Sequence, residues 1–269
     1  MTTVSKPRRG PPRLFATLPS ASRTAWGIAF FAAFIGGWWA LTASDLVPSY
    51  FLASPLATLV SGWNLIAHMG FGFDIGMTVW RVLGGFLIAA IIAVPLGIAM
   101  GTSAAAGAFF EPFISFARYL PASAFIPLLI LWVGIGEAQK LTVIFLGCFF
   151  QLTLMICVIV AATRRDLVEA AYTLGARTRG VVRRVVLPGA APHIAEALRQ
   201  VLGLGWTYVV VAELIGASSG IGHMITDSQA LLATDQIIAG IVVIGLIGLV
   251  SDLLFRALNR RLFRWSVPL

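Results

Sequence analysis

The sequence predicts an all-α integral membrane protein with six transmembrane helices. Of its 269 residues, 59% are hydrophobic and only 11% are charged, a balance outside the range of soluble globular domains. Apolar runs recur along the chain at the length that a helix needs to cross a bilayer core, about 20 residues for about 30 Å. The basic residues are gathered into three clusters that these runs separate. These observations exclude a soluble domain anywhere in the chain.

Six apolar runs supply the predicted spans, and five of them contain no charged residue. In chain order the spans are 25–43, 82–100, 119–136, 141–163, 201–217 and 237–250. Proline removes a backbone hydrogen bond from a helix, so we expect Pro95 to interrupt the second span, and Pro121 and Pro127 the third. The spacing of Gly97 and Gly101 predicts close approach of neighbouring helices.

The connections between the spans are predicted from polar, small and turn-forming residues. A mixed segment at 44–76 is expected to contain a short interfacial helix from Pro55 to His68. Glycines break the helix in the segment at 216–235, where a second short helix from Met224 to Leu232 is expected. The remaining connections are a tight turn of small residues at 101–107 and a short link at 137–140.

The positions of the basic residues predict which side of the membrane each connection occupies. Five precede the first span, seven lie between the fourth and fifth spans, and four follow the sixth. All three clusters then fall on one side, which the positive-inside rule makes the cytoplasm. Residues 1–22 are therefore predicted as a cytoplasmic N-terminal arm and 23–269 as a transmembrane domain with a cytoplasmic loop at 163–190. The net charge of +8 is explained by topology and by anionic membrane lipid, not by a nucleic-acid partner.

The loop at 163–190 carries six arginines and two acidic residues, which exclude it from lipid. Its pattern predicts a helical hairpin. Asp166 is placed as the N-cap of a first helix, with Glu169 three residues later. Gly175 fits a left-handed C-cap, and a second short helix from Thr178 to Val186 is expected to end at Pro188.

The loop contains a characteristic spacing: Glu169-Ala170-Ala171, three residues, Gly175, nine residues, then Val185-Val186-Leu187-Pro188. The small alanines would let another protein approach the backbone closely. The spacing resembles the coupling-loop signature of membrane subunits of bacterial ABC importers of the binding-protein-dependent type, with Val185 in place of the commoner isoleucine. The resemblance implies that an ATPase docks on Asp166, Glu169, Ala170, Ala171, Gly175, Leu187 and Pro188.

The resemblance extends from about Phe51 to Trp265 and is to permeases of the nitrate, sulfonate and taurine importer group. It is carried by Phe51-Leu-Ala-Ser-Pro, Arg81-Val-Leu-Gly-Gly-Phe, Pro95-Leu-Gly, Arg118-Tyr-Leu-Pro-Ala-Ser-Ala-Phe-Ile-Pro-Leu, Leu131-Trp-Val-Gly-Ile-Gly-Glu and Ala212-Glu-Leu-Ile-Gly-Ala. It implies the type I ABC importer permease fold, with a five-helix core plus an N-terminal helix. The third-span motif is closer to the taurine and sulfonate branch, so the expected cargo is taurine or an aliphatic sulfonate, with nitrate or bicarbonate next.

The same resemblance implies the partners of the chain. They are ATP-binding-cassette ATPase subunits, a periplasmic or lipid-anchored solute-binding protein, and a second permease copy in a homodimer. The expected location is the bacterial inner membrane, as a multi-pass protein with both termini cytoplasmic. ATP and Mg are expected on the partner ATPase, and no cofactor is expected on this chain.

The chain carries no signature of an ATPase or of another enzyme. Its only lysines, Lys6 and Lys140, lie in Ser-Lys-Pro and Gln-Lys-Leu, whereas a phosphate-binding loop ends in Gly-Lys-Ser or Gly-Lys-Thr. Cys148, Cys157 and the histidines lack metal-ligand spacing, so neither a catalytic residue nor a metal site is predicted. The scattered acids disfavour a membrane-embedded enzyme. An autonomous channel or secondary transporter is the other alternative, and it leaves the hairpin without a purpose.

Six residues within the spans or at their ends are candidates for the transport pathway or for a gate: Arg81, Arg118, Gln151, Thr207, Tyr208 and Glu213. A buried charge in a membrane needs a partner, and Glu213 is predicted to pair with Arg81 near the external ends of their spans. That pair would serve as a gate or as an ordinary interhelical bond. Arg118 is expected near the cytoplasmic end of the third span, where it could attract an anion or reach lipid phosphates. Helix-to-helix hydrogen bonding is the alternative for the uncharged members.

Overall fold

A computed structural model of the protein describes residues 19–44 and 46–265. The predicted N-terminal arm falls largely on residues 1–18, which lie outside the described residues. Every regular element in the described ranges is helical. The α-helices are α1 (Ser20–Ala43), α2 (Pro55–His68), α3 (Phe71–Thr102), α4 (Ala104–Ala117), α5 (Ile126–Val133), α6 (Glu137–Ala161), α7 (Arg165–Thr173), α8 (Thr178–Val181), α9 (Leu187–Leu214), α10 (Ile221–Ala230) and α11 (Thr234–Leu262). A 3-10 helix at Ala122–Phe125 precedes α5, and a π-helix at Val182–Val186 precedes α9.

Two compact units divide the chain, residues 1–57 and 58–269. In the first unit, the Trp38 indole donates a 3.0 Å hydrogen bond to the carbonyl oxygen of Ala53. This bond ties the segment after α1 back to that helix. The short helix predicted from Pro55 to His68 is confirmed as α2. Proline at the first helical position has no N–H, and a helix needs none there.

Three helices, α3, α6 and α9, form the core of the second unit. α3 lies along α6, and α9 packs against both, with one cluster of buried apolar side chains joining all three. The glycines of α3 permit the close approach. A Cβ added at Gly97 would lie 2.8 Å from the Thr153 carbonyl oxygen, and one at Gly101 would lie 2.7 Å from that of Cys157. The predicted packing role of this glycine pair is therefore confirmed.

Four of the described helices are long and apolar enough to cross a membrane, namely α1, α3, α6 and α11. A fifth span results if α4 and the helical segment at 122–133 count as one, although they meet at 83°. The bounds predicted for the third span, 119–136, are therefore wrong, since the bent pair begins at Ala104, but the interruption predicted at Pro121 is present. Pro121 lies at the break, where its ring disfavours helical geometry at the preceding residue.

Two other expectations about helix breaks are also corrected. α3 continues through Pro95 to Thr102, because its packing along α6 holds the helix on both sides of the proline. The turn expected at 101–107 is a single residue, Ser103. Its hydroxyl accepts a hydrogen bond from the Ala106 N–H and caps α4. A one-residue turn suffices because a capping side chain satisfies a free donor of the next helix.

The fifth predicted span, at 201–217, falls on the second half of α9 and the three residues after it, and α9 is longer than expected. α9 has 28 residues, or about 42 Å at 1.5 Å per residue, so it is long enough to cross a membrane. Charged residues in its first half keep it out of the set of apolar spans. The predicted count of six therefore depends on α9. The short helix expected at 224–232 is present as α10, displaced toward the N-terminus.

We expect Gly97→Ala to destabilise the bundle, because the added methyl group meets α6 at 2.8 Å. Overpacking of this kind costs about 1–3 kcal/mol. Gly76→Ala is the matched control, since the same methyl group on α3 meets no atom within 4 Å. Thermal unfolding in detergent should show a lower midpoint for Gly97→Ala alone. Equal midpoints for the two variants would contradict the tight contact between α3 and α6.

Candidate functional site

The hairpin at 163–190 begins with α7, whose N-cap is Arg164. The prediction of Asp166 as the N-cap is therefore wrong. Asp166 lies in the first turn, and its carboxylate accepts hydrogen bonds from the Arg164 guanidinium. These bonds lower the pKa of the Asp166 carboxyl below its ordinary value. The negative charge still lies at the positive end of the helix, where it is favourable.

Gly175 ends α7 in the left-handed conformation, as predicted, with φ at +80°. The Ala176 N–H donates to the Ala171 carbonyl at 3.0 Å, and the Gly175 N–H donates to the Tyr172 carbonyl at 2.9 Å. These two bonds form a Schellman motif, in which glycine takes the left-handed position without steric cost. The turn between the two helices of the hairpin is thereby fixed in one conformation.

The second helix of the hairpin continues into the bundle. α8, the π-helix and α9 follow one another without a gap from Thr178 to Leu214, so the prediction that Pro188 ends this helix is wrong. The Leu187 N–H bonds to the carbonyl oxygen of Val182, five residues earlier. This wider turn precedes the proline, whose missing N–H falls in the first turn of α9. Leu187 and Pro188 thus lie inside a continuous helix.

α7 is attached to the bundle by few contacts. Val168 and Ala171 pack against the core cluster, but no residue of α7 is buried. Leu167 and Leu174, two apolar residues of the hairpin, are 47% and 87% exposed. Ala170, also exposed, leaves the backbone accessible beside them. The hairpin therefore presents an apolar surface that this chain does not cover.

A second group of candidate residues lies at the opposite end of α9, around the fully buried side chain of Arg81. Its guanidinium Nη1 lies 2.8 Å from Glu213, and its Nη2 lies 2.7 Å from Glu137. Further donations reach the carbonyl oxygen of Ser219 at 2.6 Å and its hydroxyl at 3.0 Å. The predicted pairing of Arg81 with Glu213 is confirmed.

The loop after α9 closes over this ion pair. The Glu213 carboxylate accepts hydrogen bonds from the Thr78 hydroxyl and from the Gly222 N–H, both at 2.9 Å. Gly220 has φ at +110°, which favours glycine, and a Cβ there would lie 2.6 Å from the Arg81 guanidinium. The cluster thus joins α3, α6, α9 and the start of α10.

Sequence reasoning missed three partners in this cluster: Glu137, Thr78 and Ser219. Glu137 is predicted in a link between spans, but it begins α6 and binds Arg81 through both carboxylate oxygens. Membrane depth is the signal that could have found it, because the link at 137–140 and Arg81 are both predicted at external ends of spans.

None of the other pathway candidates lies in the Arg81 cluster. Arg118 lies at the break after α4, where its guanidinium stacks on the neighbouring tyrosine ring, 4.7 Å from the centroid. Gln151 is partly exposed on α6, and Thr207 is exposed on α9. Tyr208 packs directly against Gly147 of α6, which is an interhelical contact.

Comparison with known proteins gives a consistent result. The family described as "Binding-protein-dependent transport system inner membrane component" matches residues 93–264. The chain is 34% identical to the taurine transport system permease protein TauC of Escherichia coli (strain K12), over 92% of each chain. It is 30% identical to the putative aliphatic sulfonates transport permease protein SsuC of Bacillus subtilis (strain 168), over 92% of this chain and 90% of that one.

The fold is also similar to that of a chain in the crystal structure of an amino acid ABC transporter with histidines. The TM-score is 0.61 at 17% sequence identity, and the match covers 76% of this chain and 98% of that chain. This likeness concerns the arrangement of the helices.

We expect Arg81→Ala to destabilise the protein strongly, because it leaves Glu213 buried without an opposite charge. Removing one partner of a buried ion pair costs about 3–5 kcal/mol. Arg164→Ala is the control, since its ion pair with Asp166 is exposed and such pairs contribute little. The yield of monodisperse protein and its thermal midpoint should fall for Arg81→Ala only. An Arg81→Ala protein as stable as the parent would contradict the role given to the cluster.

Proposed function

Since this chain belongs to the family of binding-protein-dependent transport system inner membrane components, we propose that its hairpin at 163–190 receives the work of a separate ATPase. The chain is a membrane-spanning permease subunit of an ABC importer, not an enzyme. The predicted all-α, type I importer permease fold is confirmed. Its cargo and the residues that couple it to ATP hydrolysis belong to the proposal.

The observation that carries the proposal is the uncovered surface of α7. Leu174 is 87% exposed. The glycine turn that follows it is held in one conformation by two hydrogen bonds, so the fold itself keeps this side chain exposed. Ala170 on the same surface has only a methyl group, which would let the groove of another protein reach the helix backbone. Glu169, also exposed, provides a charge for docking. Such a surface supports contact with a partner protein.

The helices attached to the hairpin suggest how that contact acts. α6 enters the hairpin, and the unbroken helix from Thr178 to Leu214 leaves it. Closure of an ATPase dimer would pull on the hairpin of each permease copy, and the two helices would move as rigid levers. Glu213 and Arg81 hold the far end of the second lever. The alternation between inward-open and outward-open states follows from that motion.

The remaining partners are part of the same proposal. The hairpin end and both termini face the cytoplasm, as the basic clusters favour. A periplasmic or lipid-anchored solute-binding protein delivers the cargo to the opposite end, and a second copy of the chain completes the pathway as a homodimer. ATP and Mg bind to the ATPase subunits.

For the cargo we propose taurine or another aliphatic sulfonate, with nitrate or bicarbonate as the next candidates. The two relatives named above support a sulfonate, since one is named for transport of taurine, which carries a sulfonate group, and the other for transport of aliphatic sulfonates. The cationic hairpin end also favours a small anion.

We expect Glu169→Lys to weaken association with the ATPase, because it reverses an exposed charge on the docking surface. Asp227→Lys is the matched control, since it reverses an exposed charge on α10, far along the chain from the hairpin. Co-purification of the ATPase and cargo-stimulated ATP hydrolysis are the two readouts. Full association and transport with Glu169→Lys would remove the hairpin from the coupling mechanism.

Gly175→Val should also reduce coupling, because φ at +80° is unfavourable for a β-branched side chain. Gly180→Val is its control, since a Cβ there meets no atom within 4 Å and its backbone has no positive φ. If the Gly175→Val importer couples ATP hydrolysis to transport as the parent does, this turn is not needed for coupling. Flux of cargo through the isolated chain would favour an autonomous channel instead.

The cargo proposal predicts that the partner solute-binding protein binds taurine and aliphatic sulfonates more tightly than nitrate or bicarbonate. Isothermal titration of that protein with each compound measures the order of affinities. If nitrate or bicarbonate bound most tightly and no sulfonate gave a heat of binding, the sulfonate proposal would be wrong and that anion would be the cargo.

A further inference from the structure

The face of α9 that lies outside the core carries polar and small residues at helical spacing. They recur every three or four positions and so share one side of the helix. Five of them are exposed and Glu196 is partly buried. We call this set the α9 stripe, and its members are Gly189, His193, Glu196, Gln200, Gly203 and Thr207.

The α9 stripe is unsuited to contact with lipid. α9 packs against α3 and α6, both of which are long and apolar enough to cross the membrane, so α9 lies at the same depth. The opposite side of α9, including Val201 and Gly205, is buried in the bundle. A charged side chain in the membrane costs about 2.5–3.5 kcal/mol on insertion scales and normally faces water or protein. The stripe therefore requires one of these two environments.

The neighbouring surface of α6 continues the same lining. A cavity of 530 Å³ lies at the hairpin end, lined by Met155 and Val158 of α6, by Ala162 directly after that helix, and by the first four members of the stripe. Gln151 lies one turn further along the same side of α6. Beyond the cavity, polar groups thus continue on both helices, with Gln151 on α6 and Gly203 and Thr207 on α9.

The charges around the cavity suit a small anion. Glu196, the acid of the stripe, pairs with Arg199, which also binds Asp252 of α11. Asp252 in turn binds Arg256 at 3.0 Å, so these four charges cancel. The adjoining hairpin carries six arginines and two acids, a net charge of +4, and Arg164, which is paired with Asp166, lines the cavity. The hairpin end of the cavity is therefore positive, which raises the local concentration of anions.

From these observations we infer that the α9 stripe and Gln151 line the aqueous route of the cargo, and that the 530 Å³ cavity is its mouth at the hairpin end. The inference rests on the proposed transport of a small anion and adds the residues that the anion passes. His193 and Gln200 offer hydrogen bonds to its oxygens near the mouth, and Gly203 has open space beside it further along the stripe.

Cysteine labelling tests this route in the complete importer in membrane vesicles. Cys157→Ala provides the background, and the native Cys148 is fully buried. Gln200→Cys, Gly203→Cys and Thr207→Cys are introduced singly, and a Cβ at Gly203 meets no atom within 4 Å. The probe is a membrane-impermeant sulfonatoethyl methanethiosulfonate, itself a small sulfonate. Leu249→Cys on α11 is the control, because Leu249 is 55% exposed and apolar.

We expect the three stripe cysteines to react at least about tenfold faster than Leu249→Cys, since a thiol in water ionises and one in lipid does not. Modification should also block transport. Reaction as slow as that of Leu249→Cys, with and without ATP, would overturn the inference. A disulfide between two copies at Gly203→Cys without labelling would overturn it too, by placing the stripe in a contact between copies. If the stripe cysteines are labelled but the ATPase does not associate with the hairpin, the inferred cargo route stands and the coupling proposal is rejected. The two proposals can therefore fail separately.

Discussion

The structure depends most on the burial of the Arg81 guanidinium. A cation inside a bundle is stable only when opposite charges and hydrogen-bond acceptors surround it. Here they come from the first turn of α6, the last turn of α9 and the loop that follows α9. Three distant segments of the chain must therefore meet at one point on α3. That meeting fixes one end of α9 in the bundle.

A fixed end gives the hairpin a means to act at a distance. The helix from Thr178 reaches Glu213 without a gap, a length of about 50 Å at the usual rise per residue. Its irregular features gather at the other end, where the π-helix, Pro188 and Pro192 lie within 11 residues. Helices bend at such features. Any bending of this helix is therefore expected at the hairpin end, beside the cavity.

Sequence reasoning succeeded where a single local rule decides the structure. A segment of mixed composition indicated the short helix from Pro55 to His68, and a glycine after a short helix with an apolar face indicated Gly175 as a left-handed cap. The pairing of Arg81 with Glu213 followed from membrane depth, since a buried charge has few available partners. The shared spacing of the hairpin residues identified the family before any contact was known.

The same reasoning failed where two effects compete. Pro188 and Pro95 are helix breakers by themselves, but a π-turn accommodates the first and packing on α6 accommodates the second. The third span differs from its predicted position because α4, which begins at Ala104, precedes the break near Pro121, whereas the predicted apolar run begins only at Tyr119. The α9 stripe could not be recognised from periodicity alone, since its meaning depends on which side of α9 the core covers.

The central claim is that the ATPase docks on the exposed surface of α7. Photo-crosslinking from a benzoylphenylalanine at Ala170, in the intact importer, tests it most directly, with the same group at the exposed Leu231 after α10 as the reference. The account predicts a covalent adduct with the ATPase from Ala170 and none from Leu231. An adduct from Leu231, or none from Ala170 while the ATPase remains bound, would contradict it.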